Sequence, residues 1–204
     1  MLTVGMNQAE VERRLVAGEL RCPGCGGVLA RWGFARRRVL RKRVGSRAMR
    51  PRRGCCGACG ATHVLLPADA LLRRADTVDV IGSALAAKAA GQGARAIAER
   101  LGRVWETVRG WLRAFAAKAE AVRAWCTRLL CQVAVDPVVP QAKGSLWADA
   151  VASIAAMVAA VADRFAVIKV TGWRVVAAAC HGRLLAPGWP PESINTSRPL
   201  ARPM

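Results

Sequence analysis

The 204-residue chain lacks several features that would point to other classes of protein. It has no tyrosine, and only 5 of its 32 basic residues are lysines. This bias indicates a GC-rich bacterial genome, so part of the arginine excess reflects base composition. The longest apolar stretch, residues 150–162, is thirteen residues long, which is too short to span a bilayer and predicts a buried helix. Residues 1–8 lack a basic start followed by an apolar run, so we expect no secretory leader and a cytoplasmic protein.

Acidic residues are missing from one quarter of the chain. None lies between Glu19 and Asp69, whereas 12 basic residues do, within a chain whose formal net charge is +19. A field of this kind attracts polyanions, of which nucleic acid is the commonest. The charge pattern therefore favours a nucleoid-associated protein with no membrane partner. A solvated surface and a contact with an anionic membrane are the alternatives.

Cysteine spacing gives the most specific motif. Eight cysteines in a reducing cytoplasm favour metal binding or packing over a disulfide framework. Cys22-x2-Cys25 and Cys56-x2-Cys59 are two CxxC turns followed by glycine, and each thiolate pair can occupy two corners of a zinc tetrahedron. With strand-like residues between the turns, the pattern predicts a zinc ribbon. Four thiolates leave no open coordination position, so we expect a structural Zn²⁺ that supplies much of the folding energy of a small ribbon.

Neighbouring residues leave the ligand set open. Cys55-x3-Cys59 is also an allowed ligand spacing, and we prefer Cys56 because it repeats the CxxC geometry of the first turn. His63 is a less favoured substitute ligand. The remaining cysteines have no comparable context and are expected in the core: Cys126, Cys131 and Cys180.

Residues 91–112 have the pattern of a helix-turn-helix. Ala98 is the small residue where two helices would cross, Gly102 the turn, and Val108 the apolar residue that closes the core. An ordinary amphipathic helix pair in an Ala-rich chain is the alternative, and Trp105 serves packing if it does not read DNA. The predicted DNA contacts are Arg95, Arg103, Trp105, Arg109 and Arg113 here, with Arg37, Arg38, Arg41 and Arg43 on the ribbon.

These motifs predict a mainly α fold with a small N-terminal β zinc ribbon, a helix-turn-helix core followed by a long helix, and a C-terminal helical and irregular segment. The predicted bounds are 1–20 for an N-terminal helix, 21–67 for the ribbon, 68–131 for the helix-turn-helix domain with an extended third helix, 141–186 for the C-terminal helices and 187–204 for a Pro-rich tail. Asn7 and Glu10 indicate a capping box, and a linker helix is expected near 68–74.

The third helix raises the question of self-association. Val108, Phe115, Val122 and Leu129 recur every seven residues from about 105 to 131. This stripe favours either a homodimer or packing onto the helix predicted for residues 146–163.

Several segments together resemble a known group of proteins. They are the cysteine turn at 22–25, Arg-Trp-Gly at 31–33, Arg-Pro-Arg-Arg at 50–53, Thr-His-Val-Leu-Leu-Pro at 62–67, Thr-Val-Arg-Gly-Trp-Leu at 107–112 and Asn-Thr-Ser-Arg-Pro at 195–199. The chain resembles short actinobacterial zinc-ribbon proteins with a helix-turn-helix, classed as a domain of unknown function. Its front end is similar to the N-terminal DNA-binding regions of insertion-sequence transposases. The resemblance covers roughly residues 15–120 and implies DNA binding in a mobile-element setting, without an established activity.

The expected function is therefore zinc-stabilised, non-catalytic binding of double-stranded DNA, by a regulator or a mobile-element accessory protein. A transposase-derived DNA-processing protein and a structured-RNA-binding protein are the alternatives. A nuclease or transposase needs two or three carboxylates converging on metal ions, and only Asp136, in the apolar run 133–136, resembles a residue of an active-site strand. Too little chain remains beyond it for a catalytic domain.

Overall fold

The computed structural model describes residues 1–166 and 170–190. Seven helices account for 45% of these described residues, and the strands form one four-stranded and one two-stranded sheet. The described residues therefore combine α-helices with small mixed sheets, an α/β composition in place of the predicted mainly α one, and the β region is N-terminal as predicted. The motif at 195–199 and most of the Pro-rich tail lie outside the described residues.

The N-terminal segment forms strand β1 (Leu2–Val4) and helix α1 (Gln8–Val16). The side chain of Asn7 accepts hydrogen bonds from the backbone N–H groups of Ala9 and Glu10, which satisfies two donors that have no partner within the helix. The carboxylate of Glu10 pairs with Arg13 instead of reaching back to Asn7, so only half of the predicted capping box forms. Gly18, at φ +66°, follows the end of the helix.

The four-stranded sheet contains β1, β2 (Leu29–Phe34), β5 (Arg52–Cys56) and β6 (Thr62–Pro67) in the order β1-β6-β5-β2. β1 runs parallel to β6, and the other two pairs are antiparallel. Helix α1 covers this sheet, and Val11, Leu15, Leu20, Leu29 and Leu65 share one buried cluster. The ribbon therefore has a larger apolar core than its length predicts, because residues 2–16 join it.

A separate hairpin, β3 (Arg38–Arg41) and β4 (Ser46–Met49), lies between β2 and β5 in sequence. Its Leu40 is fully buried against Leu66 and Ala70. The linker helix predicted for 68–74 is absent, and turns occupy the segment. The buried Asp69 explains this difference, because its carboxylate pairs with Arg47 and its carbonyl accepts from the N–H of Val78, contacts that fix it in an irregular conformation.

Six helices make up the rest of the described chain: α2 (Val78–Ala89), α3 (Ala94–Leu101), α4 (Trp105–Ala116), α5 (Ala119–Val133), α6 (Leu146–Phe165) and α7 (Gly172–Ala179). They share one buried cluster. Gly82 on α2 is essential to this packing, since a Cβ there would lie 2.1 Å from the ring of Trp173 on α7.

The predicted long third helix is two helices, α4 and α5, separated at residues 117–118. Lys118 leaves helical geometry at φ −139°, and its ammonium group donates to the carbonyl of Ala186. The chain turns there because α4 packs on α2 and α3, whereas α5 packs on α6.

The side chains of the seven-residue stripe pack inside the chain. Val108, Phe115 and Val122 are fully buried, and the ring centroid of Phe115 lies 4.8 Å from that of Trp147 at the start of α6. Phe115 therefore packs against the helix predicted for 146–163, and a homodimer stays a prediction.

Helix α6 is twenty residues long, seven more than the apolar run that predicted it. It is the one helix in the described part of the chain that is long and apolar enough to cross a membrane, with 22% of its most apolar window buried. Helices in the cores of soluble proteins meet the same two criteria, so length and composition assign no membrane role to α6.

Candidate metal centre and its basic surroundings

The two CxxC turns adopt the same backbone structure. The N–H of Cys22 donates to the carbonyl of Gly27, and the N–H of Gly26 donates to the carbonyl of Cys22. In the second turn, Cys56 and Gly60 repeat both bonds with the equivalent partners. Gly26 and Gly60 have φ values of +75° and +70°, a left-handed conformation that favours glycine. Local sequence alone therefore builds both halves of the site.

The fold then brings the two turns together. The sulfur atoms of Cys22, Cys25, Cys56 and Cys59 all lie within 4.8 Å of one another. The Cys22–Cys59 sulfur pair is 3.8 Å apart and the Cys25–Cys56 pair 3.4 Å. A tetrahedral zinc ion with Zn–S bonds of about 2.3 Å requires sulfur separations of roughly 3.8 Å. The cluster therefore has the size and donor set of a four-thiolate metal site.

The electrostatics also suit a cation. The peptide N–H groups of Cys59 and Ala58 point at the sulfur of Cys56 and, despite its burial, lower the pKa of this thiol to about 6. The N–H groups of Gly24 and Cys25 likewise lower the pKa of Cys22. The N–H of Gly27 lowers the pKa of Cys25, but the adjacent sulfurs of Cys56 and Cys59 outweigh it and raise that pKa to about 12. The cluster thus lowers the pKa at Cys22 and Cys56 and raises it at Cys25, and a bound metal ion would offset the repulsion between neighbouring sulfurs that raises the pKa of Cys25.

The geometry decides between the alternative ligands. Cys56 belongs to the cluster, whereas the thiol of Cys55 faces away and donates to the carbonyl of Gly60 over 3.5 Å. His63 Nε2 lies 3.3 Å from the sulfur of Cys22, so His63 contacts a ligand and is not one of the four. Outside the cluster, Cys126 and Cys180 are buried as expected, but Cys131 is exposed on α5.

The helix pair α3–α4 carries most of the other predicted site residues. Gly102 makes a left-handed turn at φ +60°, and the expected core residues Ala98 and Val108 are buried. The guanidinium groups of Arg95 and Arg109 lie over the partly buried ring of Trp105, at 5.6 and 5.0 Å. Trp105 therefore packs and also orients two arginines, and Arg113 is exposed one turn after Arg109.

Arg103, predicted as a DNA contact, is held inside the protein. Its Nε donates to Asp76 over 2.5 Å, and its Nη2 donates to the carbonyl of Lys42 over 2.5 Å. The carboxylate of Asp76 is buried and also accepts from Arg41. Sequence reasoning missed Asp76. Asp69 and Asp76 are the first two acidic residues after residues 20–68, which contain none, and this position was the available clue.

The ribbon arginines divide into two groups. Arg38 donates to the carbonyl of Arg74, and burial lowers its pKa, so Arg38 and Arg41 serve the fold. Arg37 and Arg43 are exposed and form no ion pair within the described residues. Of the four predicted backbone contacts, these two have guanidinium groups available to a partner.

Asp136 does not lie on a strand. It is exposed in the irregular segment after α5, and Asp163 and Arg164 line the same groove. Among residues 1–166 and 170–190, the cysteine cluster is the only group of three or more potential metal ligands that converge.

Comparison with known proteins gave no relative. No family model, no curated protein and no solved structure matches this chain. The resemblance to zinc-ribbon proteins and transposase front ends therefore stays a prediction, and functional inference depends on the geometry above.

Proposed function

We propose that this chain is a zinc-stabilised, nucleoid-associated protein that binds double-stranded DNA without catalysing a reaction on it. The observation that carries the proposal is the surface of α3–α4, where the Trp105 ring holds Arg95 and Arg109 side by side and Arg113 follows one turn later. Three exposed cations on two helices with the core pattern of a helix-turn-helix suit an α4 that enters the major groove.

The metal site supports the binding surface and takes no part in chemistry. With four cysteine ligands, a zinc ion has no open position for water or substrate, so it would act as a folding element. It would hold the two turns together, and with them β2 and β5, since Leu29 and Cys56 are register partners on those strands.

The test is DNA affinity measured by fluorescence anisotropy as a function of salt, after selection of a preferred site from random duplexes. Replacing Arg109 and Arg113 by Ala should weaken binding and reduce discrimination between the selected site and an unrelated duplex, because base contacts specify and phosphate contacts do not. The matched control replaces Arg128 and Arg164, exposed residues of α5 and α6, and removes the same charge. Equal effects from both double variants would contradict a reading role for α4.

Catalysis is tested separately. Magnesium-dependent DNA cleavage by the purified protein, lost on Asp136→Ala, would replace the proposal with a transposase-derived enzyme. We expect no cleavage from the wild-type protein or from the Asp136→Ala variant.

Structured RNA is a second candidate because two aromatic rings lie exposed on the edge strand β2. Trp32 is 58% exposed, and the Phe34 ring lies beneath the guanidinium groups of Arg50 and Arg52 at 5.1 and 4.3 Å. Exposed aromatics with adjacent arginines are typical of proteins that stack unpaired bases. Tighter binding to a structured RNA than to duplex DNA at equal salt, weakened by Trp32→Ala, would favour this function.

A further inference from the structure

The β3–β4 hairpin is joined to the helical part of the protein by its main chain. The N–H of Arg41 donates to the carbonyl of Ala75 over 2.7 Å, and the N–H of Thr77 donates to the carbonyl of Arg41 over 3.0 Å. Thr77 is the residue immediately before α2. The hairpin is therefore fixed to the start of the helical unit and is not a freely moving arm of the ribbon.

Side chains extend this connection to the beginning of α4. Asp76, only 1% exposed, accepts from Arg41 on the hairpin and from Arg103 in the turn between α3 and α4. Arg103 also donates to the main-chain carbonyl of Lys42 at the hairpin turn. A buried carboxylate with two guanidinium partners fixes orientation because it holds the hairpin arginine and the turn arginine at one point, and a charge inside the protein needs such partners. The hairpin turn, residues 42–45, consequently lies one arginine side chain away from the turn that leads into α4.

The position of the hairpin turn can be set against the dimensions of duplex DNA. At 1.5 Å rise per residue, Arg109 lies about 6 Å and Arg113 about 12 Å along α4 from its first residue. The major groove is about 12 Å wide. A hairpin turn beside the N-terminal end of a helix in that groove therefore meets the phosphates at its edge. Lys42 and Arg43 are exposed there, and Val44, the next residue, is 87% exposed.

We propose that the hairpin turn is a backbone clamp: Lys42 and Arg43 bind phosphates of the strand that borders the groove occupied by α4, without reading sequence. The proposal rests on the proposed DNA-binding function and adds a second element that contacts DNA, with a role different from that of α4. α4 supplies discrimination, and the turn supplies salt-dependent affinity and fixes the register of the helix.

The experiment uses the full chain with Lys42 and Arg43 both replaced by Ala. The exchange keeps the Lys42 carbonyl that binds Arg103, and it also keeps the main-chain bond from the Lys42 N–H to the Gly45 carbonyl that closes the turn. Loss of two phosphate contacts should lower the slope of log affinity against log salt by about 1.8, at about 0.9 per contact. The ratio of affinities for the selected and unrelated duplexes should not change. Hydroxyl-radical footprinting should show loss of protection on one flank of the site only.

The outcomes separate this inference from the function on which it rests. If the wild-type protein fails to bind duplex DNA, the proposed function fails first. If the wild type binds and the Lys42/Arg43 variant keeps its slope and its flanking footprint, the clamp alone is wrong. A variant that loses discrimination would also overturn the clamp, since the turn would then read bases. The Arg128/Arg164 variant, with the same loss of charge, should keep both the slope and the footprint.

Discussion

Gly27 offers the sharpest test of the metal centre, because its hydrogen atom faces two parts of the second cysteine turn. A Cβ at this position would lie 2.8 Å from the sulfur of Cys56, 2.8 Å from the Cβ of Ala58 and 3.4 Å from the sulfur of Cys25. The backbone of Gly27 is not left-handed, so alanine would meet no conformational strain there. Any effect of Gly27→Ala must therefore come from crowding at the cluster.

The size of the effect follows from these distances. Ordinary contact begins near 3.4 Å, so the Cys56 sulfur and the Cβ of Ala58 must both move away by about 0.6 Å. Overpacking by one methyl group costs about 1–3 kcal/mol. Since about 1.4 kcal/mol corresponds to a factor of ten, a loss that falls entirely on the metal site weakens zinc binding about 5- to 150-fold.

The assay is competition for zinc against a chromophoric chelator, with the melting temperature of the loaded protein as a second measurement. Gly24→Ala is the matched control, because its Cβ would lie 3.8 Å from the sulfur of Cys22, at ordinary contact distance. We expect the control to stay within about twofold of the wild type. If Gly27→Ala binds zinc as tightly as Gly24→Ala, the two turns do not close on each other as described.

Other substitutions test the ligand choice and the core. Cys55→Ser should retain about one zinc per chain by elemental analysis whereas Cys56→Ser loses it, and the reverse result would exchange the ligands. Asp76→Ala should lower the free energy of unfolding in urea by about 3 kcal/mol, because it leaves two guanidinium groups without their carboxylate; a change below about 1 kcal/mol would argue against a fixed hairpin. Gly82→Ala should lower the free energy of unfolding by about 1–3 kcal/mol, because the added methyl group meets the Trp173 ring on α7. Gly110→Ala, whose methyl group has open space, should raise it by about 0.5–1 kcal/mol. A change of the same sign in both variants would contradict the helix packing.

The metal centre could be predicted from sequence because its determinants are local. Each cysteine turn is six residues long, and its two cysteines, the glycine after the second cysteine and its hydrogen bonds repeat 34 residues later, so spacing alone indicates a paired site. The choice of Cys56 over Cys55 also followed from this repetition. Helices α2, α3 and α6, and the combined span of α4 and α5, were visible in their apolar periodicity for a similar reason.

Features that depend on distant partners could not be predicted. Strand β1 is three residues long and has no periodicity of its own, and it exists because Leu2 pairs with Leu65. The break between α4 and α5 contains neither glycine nor proline; at Lys118 the ammonium group reaches the carbonyl of Ala186, 68 residues away. Arg103 looked like a DNA contact because nothing in its sequence neighbourhood reveals that Asp76 binds it.

Several of the few acidic residues hold arginines at contacts between parts of the fold. Asp69 and Asp76 are both almost fully buried, and they pair with arginines that fix the hairpin to the helical unit. Glu12 on α1 similarly holds Arg31 and Arg52 of the sheet. Base composition alone would add arginines without regard to position. Here Asp69, Asp76 and Glu12 bind arginines at internal contacts, whereas the exposed cations of the hairpin turn and of α3–α4 form no ion pair within the described residues. Glu99 and Glu106 are exposed on the same two helices and form no ion pair within the described residues, so the exposed arginines of α3–α4 stay unpaired beside them, in contrast to the paired arginines at the internal contacts.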